Sequence, residues 1–379
     1  MSGHPEKIVI VGNGVAGVTA ADGLRAAGFD GELTIIGDER HAAYSRPALS
    51  KALLAPAPDL DAHRLPAPTH GATEILGVPA TGLDIAGRRV SLADGSAQSY
   101  DALVVAAGSR ARRLTESPHE LTLRGFDDAV ALRERIAGGP SVLVVGGGPL
   151  GMEIASGCVN AGCTVTVVSQ GAPLVEQLGT HLAGVFTAAA RERGVRIVDS
   201  GAVSVEHDGD RARVVAGDSA VHEAEILVSA VGDIPNVEWM SGTGLVTRGA
   251  LHVDERGMLG PDIAAVGDVA AFPTNRGVRR IPLWSSAIEQ AKVAAVALMR
   301  GAAAPPLAFD PYFWTEAFGL TLKAVGDLPV AGDPEYVDGG PVGPALMRWA
   351  SGDGAGSAVA LDYRIPIPRL RRVRATADA

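Results

Sequence analysis

Two stretches of the chain share the same order of an apolar run, a glycine-rich loop and a helix-like segment. The apolar runs are Ile8–Val11 and Val142–Val145, and each is short and continuous, as in a buried strand. A second strand-like run follows each helix-like segment, at Leu33–Gly37 and at Thr164–Ser169. Strands that alternate with helices in this way are typical of βαβ units. The pattern therefore predicts an α/β fold with two Rossmann-like domains.

Weaker patterns predict the elements outside these two units. Pro and Ala are frequent over residues 44–68, which indicates a loop with one short helix near Pro47–Leu54. The other expectations, in chain order, are a meander of short strands over 73–106, an amphipathic helix over Ala183–Arg193, three strand-like runs up to Val231, a strand and a helix start over Ala264–Phe272, an alanine-rich helix over Ala287–Arg300, a linker over Gly301–Pro311 and a module of short strands over 312–379.

The two glycine loops carry the most specific chemistry in the sequence. They read GNGVAG at Gly12–Gly17 and GGGPLG at Gly146–Gly151. In such a loop the first glycine makes a tight turn, the second lets the backbone approach a pyrophosphate, and the third lets helix and strand pack closely. The N-terminus of the following helix then faces the anion. Two loops of this kind predict two nucleotide ligands held by one chain.

Composition and charge exclude several classes of function. The 379 residues carry a net charge of −10, which argues against nucleic acid as a partner. No segment reaches the roughly 18 apolar residues of a membrane span. The N-terminal sequence MSGHPEKIVIVG runs almost directly into the first strand without a signal peptide. We therefore expect a cytoplasmic protein without a membrane partner, and the scattered His residues predict no metal site.

The two cysteines, Cys158 and Cys163, allow two interpretations. Their C-x4-C spacing is similar to that of the redox disulfide of glutathione-reductase-type flavoenzymes. In those proteins, however, the pair lies shortly after the second strand of the FAD domain, where this chain has YSRPALSK at Tyr44–Lys51 and no cysteine. Packing thiols are favoured over a redox pair, because a free Cys usually behaves as a small apolar side chain.

The order of the motifs resembles one flavoenzyme family. Besides the two glycine loops, the motifs are YSRPALSK, YDALVVAAG at Tyr100–Gly108, VGD at Val266–Asp268 and PYFWTEAFGL at Pro311–Leu320. Together they resemble the ferredoxin-reductase branch of the FAD- and NAD(P)-dependent enzymes with the disulfide-reductase fold. That branch includes rubredoxin reductases and the reductases that serve thiolate-haem monooxygenases or ring-hydroxylating dioxygenases. The match is looser beyond Gly326.

The resemblance implies a division into three domains. Residues 1–110 and 233–310 would form a discontinuous FAD-binding domain, and residues 111–232 would form the NAD(P)-binding domain. Residues 311–379 would form a small α+β C-terminal interface domain. The expected fold class is thus α/β, with two Rossmann-like nucleotide-binding domains and a small C-terminal domain.

The resemblance assigns FAD to the first glycine loop. Gly12, Gly14 and Gly17 would hold the pyrophosphate, and Asp38 or Glu39 would bind the adenosine ribose, although either carboxylate also fits a solvated turn. Asp268 would bind the FAD ribitol at the start of a helix, where the residues alone would make it an N-cap. The further positions implied to contact FAD are Val15, Ala16, Arg46, Val78, Ala107, Gly108, Arg112, Gly267, Trp284 and Ala287; a core position is the alternative for Trp284.

The resemblance also names Lys51 and Glu153 as the catalytic pair. Lys51 would lie near flavin N5 and pair with Glu153 beside the isoalloxazine ring. From the residues alone, Lys51 would be a surface lysine and Glu153 an anion favoured by the helix dipole. A buried pair is plausible only when both partners are present, and this chain contains both.

NAD(P)H is assigned to the second glycine loop. Gly146, Gly148 and Gly151, with Pro149 and Leu150, would cradle the dinucleotide. An NAD-specific enzyme carries Glu or Asp at the end of the following strand, but here that position is Ser169. No Arg or His stands in Ser169–Glu176 to bind a 2′-phosphate, so NADH is favoured without being specified. Gly232 is a further expected cofactor-binding position, and Trp314 is expected over the nicotinamide pocket, with module packing as the alternative for Trp314.

These observations favour an FAD-dependent NAD(P)H:ferredoxin oxidoreductase that passes electrons to a small iron–sulfur protein of the ferredoxin or rubredoxin type. Local basic clusters would dock that partner, among them Arg369, Arg371, Arg372 and Arg374. Two alternatives stay open: a flavoenzyme with a small-molecule acceptor such as a quinone, and a nucleotide-binding or redox-sensing module with a structural FAD. Both a monomer and a homodimer fit the sequence.

Overall fold

The chain forms two compact units. The computed structural model describes residues 5–54, 61–66, 68–208, 211–217, 219–308, 310–350 and 356–375. The first unit comprises residues 1–45, 60–110 and 234–309, and the second comprises residues 46–59, 111–233 and 310–379. The breaks near 110, 233 and 310 lie close to the predicted domain limits, but residues 46–59 belong to the second unit. The assignment of three domains to three roles stays a prediction.

A parallel five-stranded sheet lies at the centre of the first unit. Its strands follow the spatial order Ile263–Ala265, Ala102–Val105, Lys7–Val11, Glu32–Gly37 and Thr73–Leu76. Helices Val15–Ala26 and Trp284–Arg300 cover one face, where Ile8, Ile10 and Leu24 join a row of alanines in one core cluster. The other face buries Val9, Val11, Leu103 and Val105. Because both faces are buried, the inner strands Lys7–Val11 and Ala102–Val105 carry continuous apolar runs rather than an alternating pattern.

Two smaller sheets also belong to the first unit; the first is antiparallel, and the second is mixed because Ala250–His252 and Ala270–Thr274 pair in parallel. The first contains Ala80–Asp84, Arg89–Leu92 and Ala97–Ser99, and the second contains Val246–Thr247, Ala250–His252, Ala270–Thr274 and Gly277–Arg280. Short 3-10 turns occur at Asp61–His63, Glu238–Met240, Gly267–Val269 and Gly301–Ala303. Two further short strands, Ser109–Ala111 and Asp233–Pro235, span points where the chain passes from one unit to the other.

The expected helix start at Asp268 is wrong. Asp268 lies in the single 3-10 turn Gly267–Val269, and the chain continues as the strand Ala270–Thr274. The strand is favoured because Phe272, which is buried, pairs with the antiparallel strand through Arg279, and because Pro273 has no N–H for a helical hydrogen bond. Asp268 is therefore presented by a turn rather than by a helix N-terminus.

The second unit repeats the parallel-sheet architecture. Its strands follow the order Arg196–Asp199, Thr164–Ser169, Ser141–Val145, Ile226–Ser229 and Glu120–Leu121. Its helices are Phe126–Ile136, Pro149–Asn160, Val175–Leu178 and Thr180–Glu192, and 3-10 turns occur at Arg46–Ala48 and Ala52–Leu54. Five strands rather than three follow the helix that ends at Glu192, because Ser204–Asp208, Arg211–Val215 and Val221–Ala224 form an additional antiparallel sheet. The predicted α/β class with two Rossmann-like folds is confirmed.

An antiparallel sheet follows at the C-terminal end of the second unit. Its strands have the order Tyr312–Ala317, Leu320–Val325, Ser357–Leu361, Ala345–Trp349 and Glu335–Gly339. Helix Ile367–Ala375 packs on it through Leu370, which is fully buried beside Val325 and Ala358. The expected module of short strands is thus present, and helix Ile367–Ala375 follows its strands. No helix among the described residues is long and apolar enough to cross a membrane.

A test of the packing in the first unit uses Gly23. A methyl group at Gly23 would lie 2.9 Å from the Cβ of Ala295, so the two helices would have to separate, whereas a methyl group at Gly184 in helix Thr180–Glu192 meets nothing within 4 Å. We expect Gly23→Ala to destabilise the protein by about 1 kcal/mol, and Gly184→Ala to stabilise it by about 0.5–1 kcal/mol through helix propensity. Thermal unfolding checks this, and an equal gain from both variants would contradict it.

Candidate active site

The first glycine loop is held against the carboxyl ends of three neighbouring strands. Gly12 has φ +120°, and its N–H donates to the carbonyl of Ile36 at 2.7 Å. A Cβ at Gly12 would overlap the carbonyl oxygen of Ala106, and a Cβ at Gly17 would overlap that of Gly12. Both positions therefore require glycine, the first for its conformation as well as for space.

The loop leaves room and unpaired polar atoms for a dinucleotide. A methyl group added at Gly14 would meet nothing within 4 Å, and helix Val15–Ala26 begins there without a side-chain cap. Within the described ranges, the buried side-chain amide of Asn13 has no hydrogen-bond partner at either polar atom. Exposed backbone N–H groups at a helix N-terminus bind phosphate readily. The residues present thus fit the FAD pyrophosphate that the sequence predicted here.

Several predicted FAD contacts gather around this loop. A Cβ at Gly267 would lie 3.1 Å from the Cβ of Ala16 and 3.9 Å from that of Ala287. The N–H of Gly267 donates to Oε1 of Gln290 at 2.7 Å, while Nε2 of Gln290 is buried without a partner among the described residues. The turn that carries Asp268 is therefore locked to the two helices of the first unit. Asp268 itself is half-buried, and its carbonyl accepts from Arg280 at 2.9 Å.

The two candidate ribose anchors differ in their surroundings. Asp38 is exposed, and its Oδ1 accepts the N–H of Glu39 at 3.0 Å. Glu39 is half-buried, and its Oε2 accepts the hydroxyl of Tyr44 at 2.6 Å. Tyr44 was not assigned a role from the sequence, although it opens the YSRPALSK motif. The choice between Asp38 and Glu39 stays a prediction.

Four more predicted contacts, Val78, Ala107, Gly108 and Trp284, lie in the first unit. The N–H of Val78 donates to the carbonyl of Gly37 at 3.1 Å. Ala107 and Gly108 follow the strand Ala102–Val105, and Asn236 binds both of them. Its Nδ2 donates to the carbonyl of Ala107 at 2.9 Å, and its N–H donates to the carbonyl of Gly108 at 3.0 Å. Trp284 is half-buried and opens the helix Trp284–Arg300.

The second glycine loop reproduces the geometry of the first. Gly146 has φ +119°, and its N–H donates to the carbonyl of Val168 at 2.8 Å. A Cβ at Gly146 would overlap the carbonyl of Ala230, and a Cβ at Gly151 would overlap that of Gly146. Gly148 has open space around it, and Pro149 occupies the first turn of the helix, followed by the exposed Leu150. The loop fits a second dinucleotide, as predicted.

Ser169 and Gly232, which were predicted to bind a cofactor, form hydrogen bonds with nearby residues of the second unit. Ser169 is buried, and its hydroxyl donates to the carbonyl of Gly171 at 2.8 Å. Gly232 is exposed with φ +98°, and its carbonyl accepts the N–H of Arg112 at 3.0 Å. Arg112 and Arg46 belong to the second unit, where Arg46 donates to the carbonyl of Arg124 at 2.8 Å. Their predicted contacts with FAD stay predictions.

The predicted pair Lys51–Glu153 is an ion pair in the second unit. Lys51 Nζ lies 2.8 Å from Glu153 Oε2, and the two side chains are only 16% and 8% exposed. Lys51 follows the 3-10 turn Arg46–Ala48, and Glu153 lies on helix Pro149–Asn160. Lys51 Nζ also donates to the carbonyl of Pro47 at 3.3 Å. The glycine-loop helix thus carries both the dinucleotide cradle and a buried carboxylate.

Two hydroxyl groups complete the shell of Glu153. Thr315 donates to Oε1 at 2.6 Å, and Ser50 donates a short hydrogen bond to Oε2. Both residues are buried. A carboxylate that pairs with a cation and accepts hydrogen bonds from two hydroxyl groups recovers much of the free energy that it loses when it leaves water. The network therefore holds the ammonium group of Lys51 at a fixed position.

Sequence reasoning missed both hydroxyl groups. Ser50 precedes Lys51 in YSRPALSK, so its position in the motif was the available signal. Thr315 lies 162 residues from Glu153, and no local pattern links them. The connection depends on tertiary packing, since the N–H of Phe318 donates to the hydroxyl of Ser156 at 2.8 Å and attaches the C-terminal sheet to helix Pro149–Asn160.

Trp314 lies on the strand that carries Thr315, on the opposite face. It is half-buried and stacks on Tyr312, with ring centroids 5.7 Å apart and an interplanar angle of 18°. The stack fixes the indole by packing within the module, which was the alternative interpretation. A role beside the nicotinamide stays a prediction.

The two cysteines belong to a helix C-terminus. Both are buried and unbridged. The N–H of Cys163 donates to the carbonyl of Cys158 at 3.0 Å, and that of Gly162 donates to the carbonyl of Val159 at 2.9 Å. This is the Schellman arrangement, in which the side chains at these two positions usually touch. A hydrogen bond with the Cys163 thiol and burial raise the pKa of Cys158 above its ordinary value. The geometry favours packing thiols.

The part of the chain that the structure describes contains no cluster of metal-ligating side chains. No group of three or more His, Cys, Asp or Glu side chains is arranged there to hold an ion. The site is therefore built from backbone cradles, one ion pair and hydroxyl groups.

Comparison with known proteins identifies the family. A family model described as pyridine nucleotide-disulphide oxidoreductase matches residues 6–291. The chain is 34% identical over 352 residues to the ferredoxin–NAD(+) reductase subunit of the benzene 1,2-dioxygenase system of Pseudomonas putida, covering 89% of this chain and 84% of that protein. It is also 34% identical over 347 residues to rhodocoxin reductase of Rhodococcus erythropolis, covering 88% and 80%. The chain belongs to the pyridine nucleotide-disulphide oxidoreductase family.

A solved structure shows the same likeness. A chain of the covalent putidaredoxin reductase–putidaredoxin complex matches with a TM-score of 0.88 and 27% identity, covering 98% of this chain and 94% of that chain. The resemblance to ferredoxin reductases, the oxidoreductase class and the cofactors FAD and NAD(P)H are confirmed by these comparisons. The roles of the individual site residues stay predictions.

The network around Glu153 generates a prediction about stability. Lys51→Met leaves a buried carboxylate without its cation, so we expect the free energy of unfolding to fall by about 2 kcal/mol, moderated by the two hydroxyl donors. Adding Glu153→Gln should restore most of the loss. The surface pair Lys292–Glu289 is the control, and Lys292→Met should change stability by less than about 0.5 kcal/mol. Urea unfolding at pH 7 measures all three. A double variant no more stable than Lys51→Met would contradict the coupling.

Proposed function

We propose that this protein is a cytoplasmic FAD-dependent NADH:ferredoxin oxidoreductase that passes electrons to a small iron–sulfur protein of an oxygenase system. Relatives named as ferredoxin–NAD(+) reductases of dioxygenase systems support the activity. The observation that carries the proposal is the buried Lys51–Glu153 pair. Its lysine lies in the motif Tyr44–Lys51, where disulfide reductases of the same fold carry their redox cysteines, so electrons would leave the flavin without a thiol relay. The unbridged thiols of Cys158 and Cys163 support a reducing compartment.

The chain's own residues supply binding, orientation and charge. FAD, when bound, supplies the step from two-electron hydride chemistry to single-electron transfer. Gly12, Gly14 and Gly17 would hold its pyrophosphate, and Gly146, Gly148 and Gly151 would hold that of NADH. Lys51 would place a positive charge near flavin N5, where negative charge arrives with the hydride. Glu153 would keep that ammonium in place, and it would itself stay oriented by Ser50 and Thr315.

The basic residues near the C-terminus would bind the iron–sulfur partner. Two arginines of the C-terminal cluster are already used, because Arg371 and Arg374 pair with Asp310 at 2.7 and 2.5 Å. Within the described ranges, Arg369 and Arg372 form no ion pair and are exposed on helix Ile367–Ala375. These two therefore supply the local positive charge that an acidic ferredoxin would need on a chain with a net charge of −10.

The choice of acceptor tests the proposed function. We expect NADH-driven turnover to be faster with a [2Fe–2S] ferredoxin than with a quinone or oxygen. We also expect ferredoxin reduction to fall about tenfold between 50 mM and 500 mM NaCl, because salt screens charge-steered docking. Flavin reduction by NADH, which needs no ferredoxin, is the control for salt. Faster turnover with the small acceptor, or a flat salt response, would contradict the proposal.

The role of Lys51 gives a second prediction. Lys51→Met removes the positive charge that would stabilise the reduced flavin, so we expect flavin reduction by NADH to slow by about tenfold or more, with a lower flavin potential. Lys292→Met removes an exposed lysine of the first unit and is the matched control. Anaerobic stopped-flow absorbance and a redox titration measure both effects. An unchanged rate and an unchanged potential in Lys51→Met would remove Lys51 from the reaction.

A further inference from the structure

Asp199 ends the strand next to the one that Ser169 ends. The two residues are register partners in neighbouring parallel strands, so their Cα atoms are about 4.8 Å apart. Oδ1 of Asp199 accepts the N–H of Gly171 at 2.8 Å. This bond holds the carboxylate against the loop that follows Ser169. The sequence offered no reason to single out Asp199, because it lies on a different strand from the expected acidic position.

The carboxylate of Asp199 retains an acceptor for a ligand. Asp199 is exposed, and the described residues give its second oxygen, Oδ2, no hydrogen bond. The hydroxyl of Ser169, in contrast, already donates to Gly171. Ser169 therefore has less to offer an incoming hydroxyl group than its neighbour on the next strand.

The loop that follows Ser169 contains no basic residue that could neutralise the carboxylate of Asp199. Residues 169–176 contain no Lys, Arg or His. Arg196 begins the strand that Asp199 ends, but it is in register with Thr166 and its guanidinium contacts His222. The loop after Ser169 and the end of the neighbouring strand thus contribute the acidic side chains Glu176 and Asp199 and no basic side chain.

In a dinucleotide fold an acidic residue at the end of the second strand binds the ribose 2′-hydroxyl, and an Arg accommodates a 2′-phosphate. We propose that Asp199 takes over this acidic role from the neighbouring strand and makes the second glycine loop selective for a nicotinamide dinucleotide without a 2′-phosphate. Oδ2 would accept the 2′-hydroxyl, and the carboxylate would repel a phosphate that carries between one and two negative charges near pH 7. The inference rests on the proposed function only in assigning the dinucleotide to this loop.

Binding of two nucleotide fragments tests the inference without any flavin chemistry. ADP-ribose and 2′-phospho-ADP-ribose carry the relevant ribose but no nicotinamide, so calorimetry with the FAD-loaded protein reports the selectivity alone. Asp199→Asn keeps an amide oxygen for the Gly171 bond but removes the charge. Glu192→Gln is the matched control, because Glu192 is also an exposed carboxylate. It ends the helix that precedes strand Arg196–Asp199 and therefore lies before the start of that strand, whereas Asp199 lies at its end.

We expect the native protein to bind ADP-ribose at least about tenfold more tightly than its 2′-phosphate. Asp199→Asn should reduce this ratio to near one, and Glu192→Gln should leave it unchanged. The native ratio should also shrink in 0.5 M NaCl, a result that needs no variant to fold. A ratio that Asp199→Asn and salt both leave unchanged would overturn the inference. Failure of NADH to reduce the flavin while the ratio behaves as expected would overturn the proposed function instead.

Discussion

The structure depends on one steric constraint, which occurs twice: the chain must turn from a strand into a helix with no space for a Cβ atom. At Gly12 the obstacle is the carbonyl of Ala106, and at Gly146 it is the carbonyl of Ala230. The φ angles of +120° and +119° are almost identical. Because the loop must lie this close to the neighbouring strand, the helix N-terminus is fixed above the carboxyl ends of the sheet. The backbone itself thereby becomes the binding surface for an anion.

The second constraint is the desolvation of Glu153. A buried carboxylate persists only if donors replace the water it loses, and here they come from two distant parts of the sequence: Lys51 and Ser50 from an early loop, and Thr315 from the C-terminal sheet. The same helix begins at the second glycine loop. One helix of the second unit therefore connects the second glycine loop with the position of the lysine.

The sequence predicted what short-range patterns encode. The glycine loops, the strands around them and the Lys51–Glu153 pair were identified because motif spacing and family resemblance are local properties. The turn at Asp268 was misjudged because Val269–Phe272 is apolar enough for either a strand or a helix, and pairing with Gly277–Arg280 decides between them. The contacts of Thr315 and Asp199 could not be predicted. Thr315 binds Glu153 and Asp199 binds Gly171, and only the folded structure brings these residues together. Tertiary register, not composition, gives these residues their positions.

The central claim is that the chain passes a hydride from a nicotinamide dinucleotide to FAD. Anaerobic stopped-flow mixing of the FAD-loaded protein with NADH, and separately with NADPH, tests it most directly through the flavin absorbance. The account predicts rapid bleaching by NADH and much slower bleaching by NADPH. Bound FAD that neither nucleotide bleaches would contradict it and would indicate a structural flavin or a different electron donor.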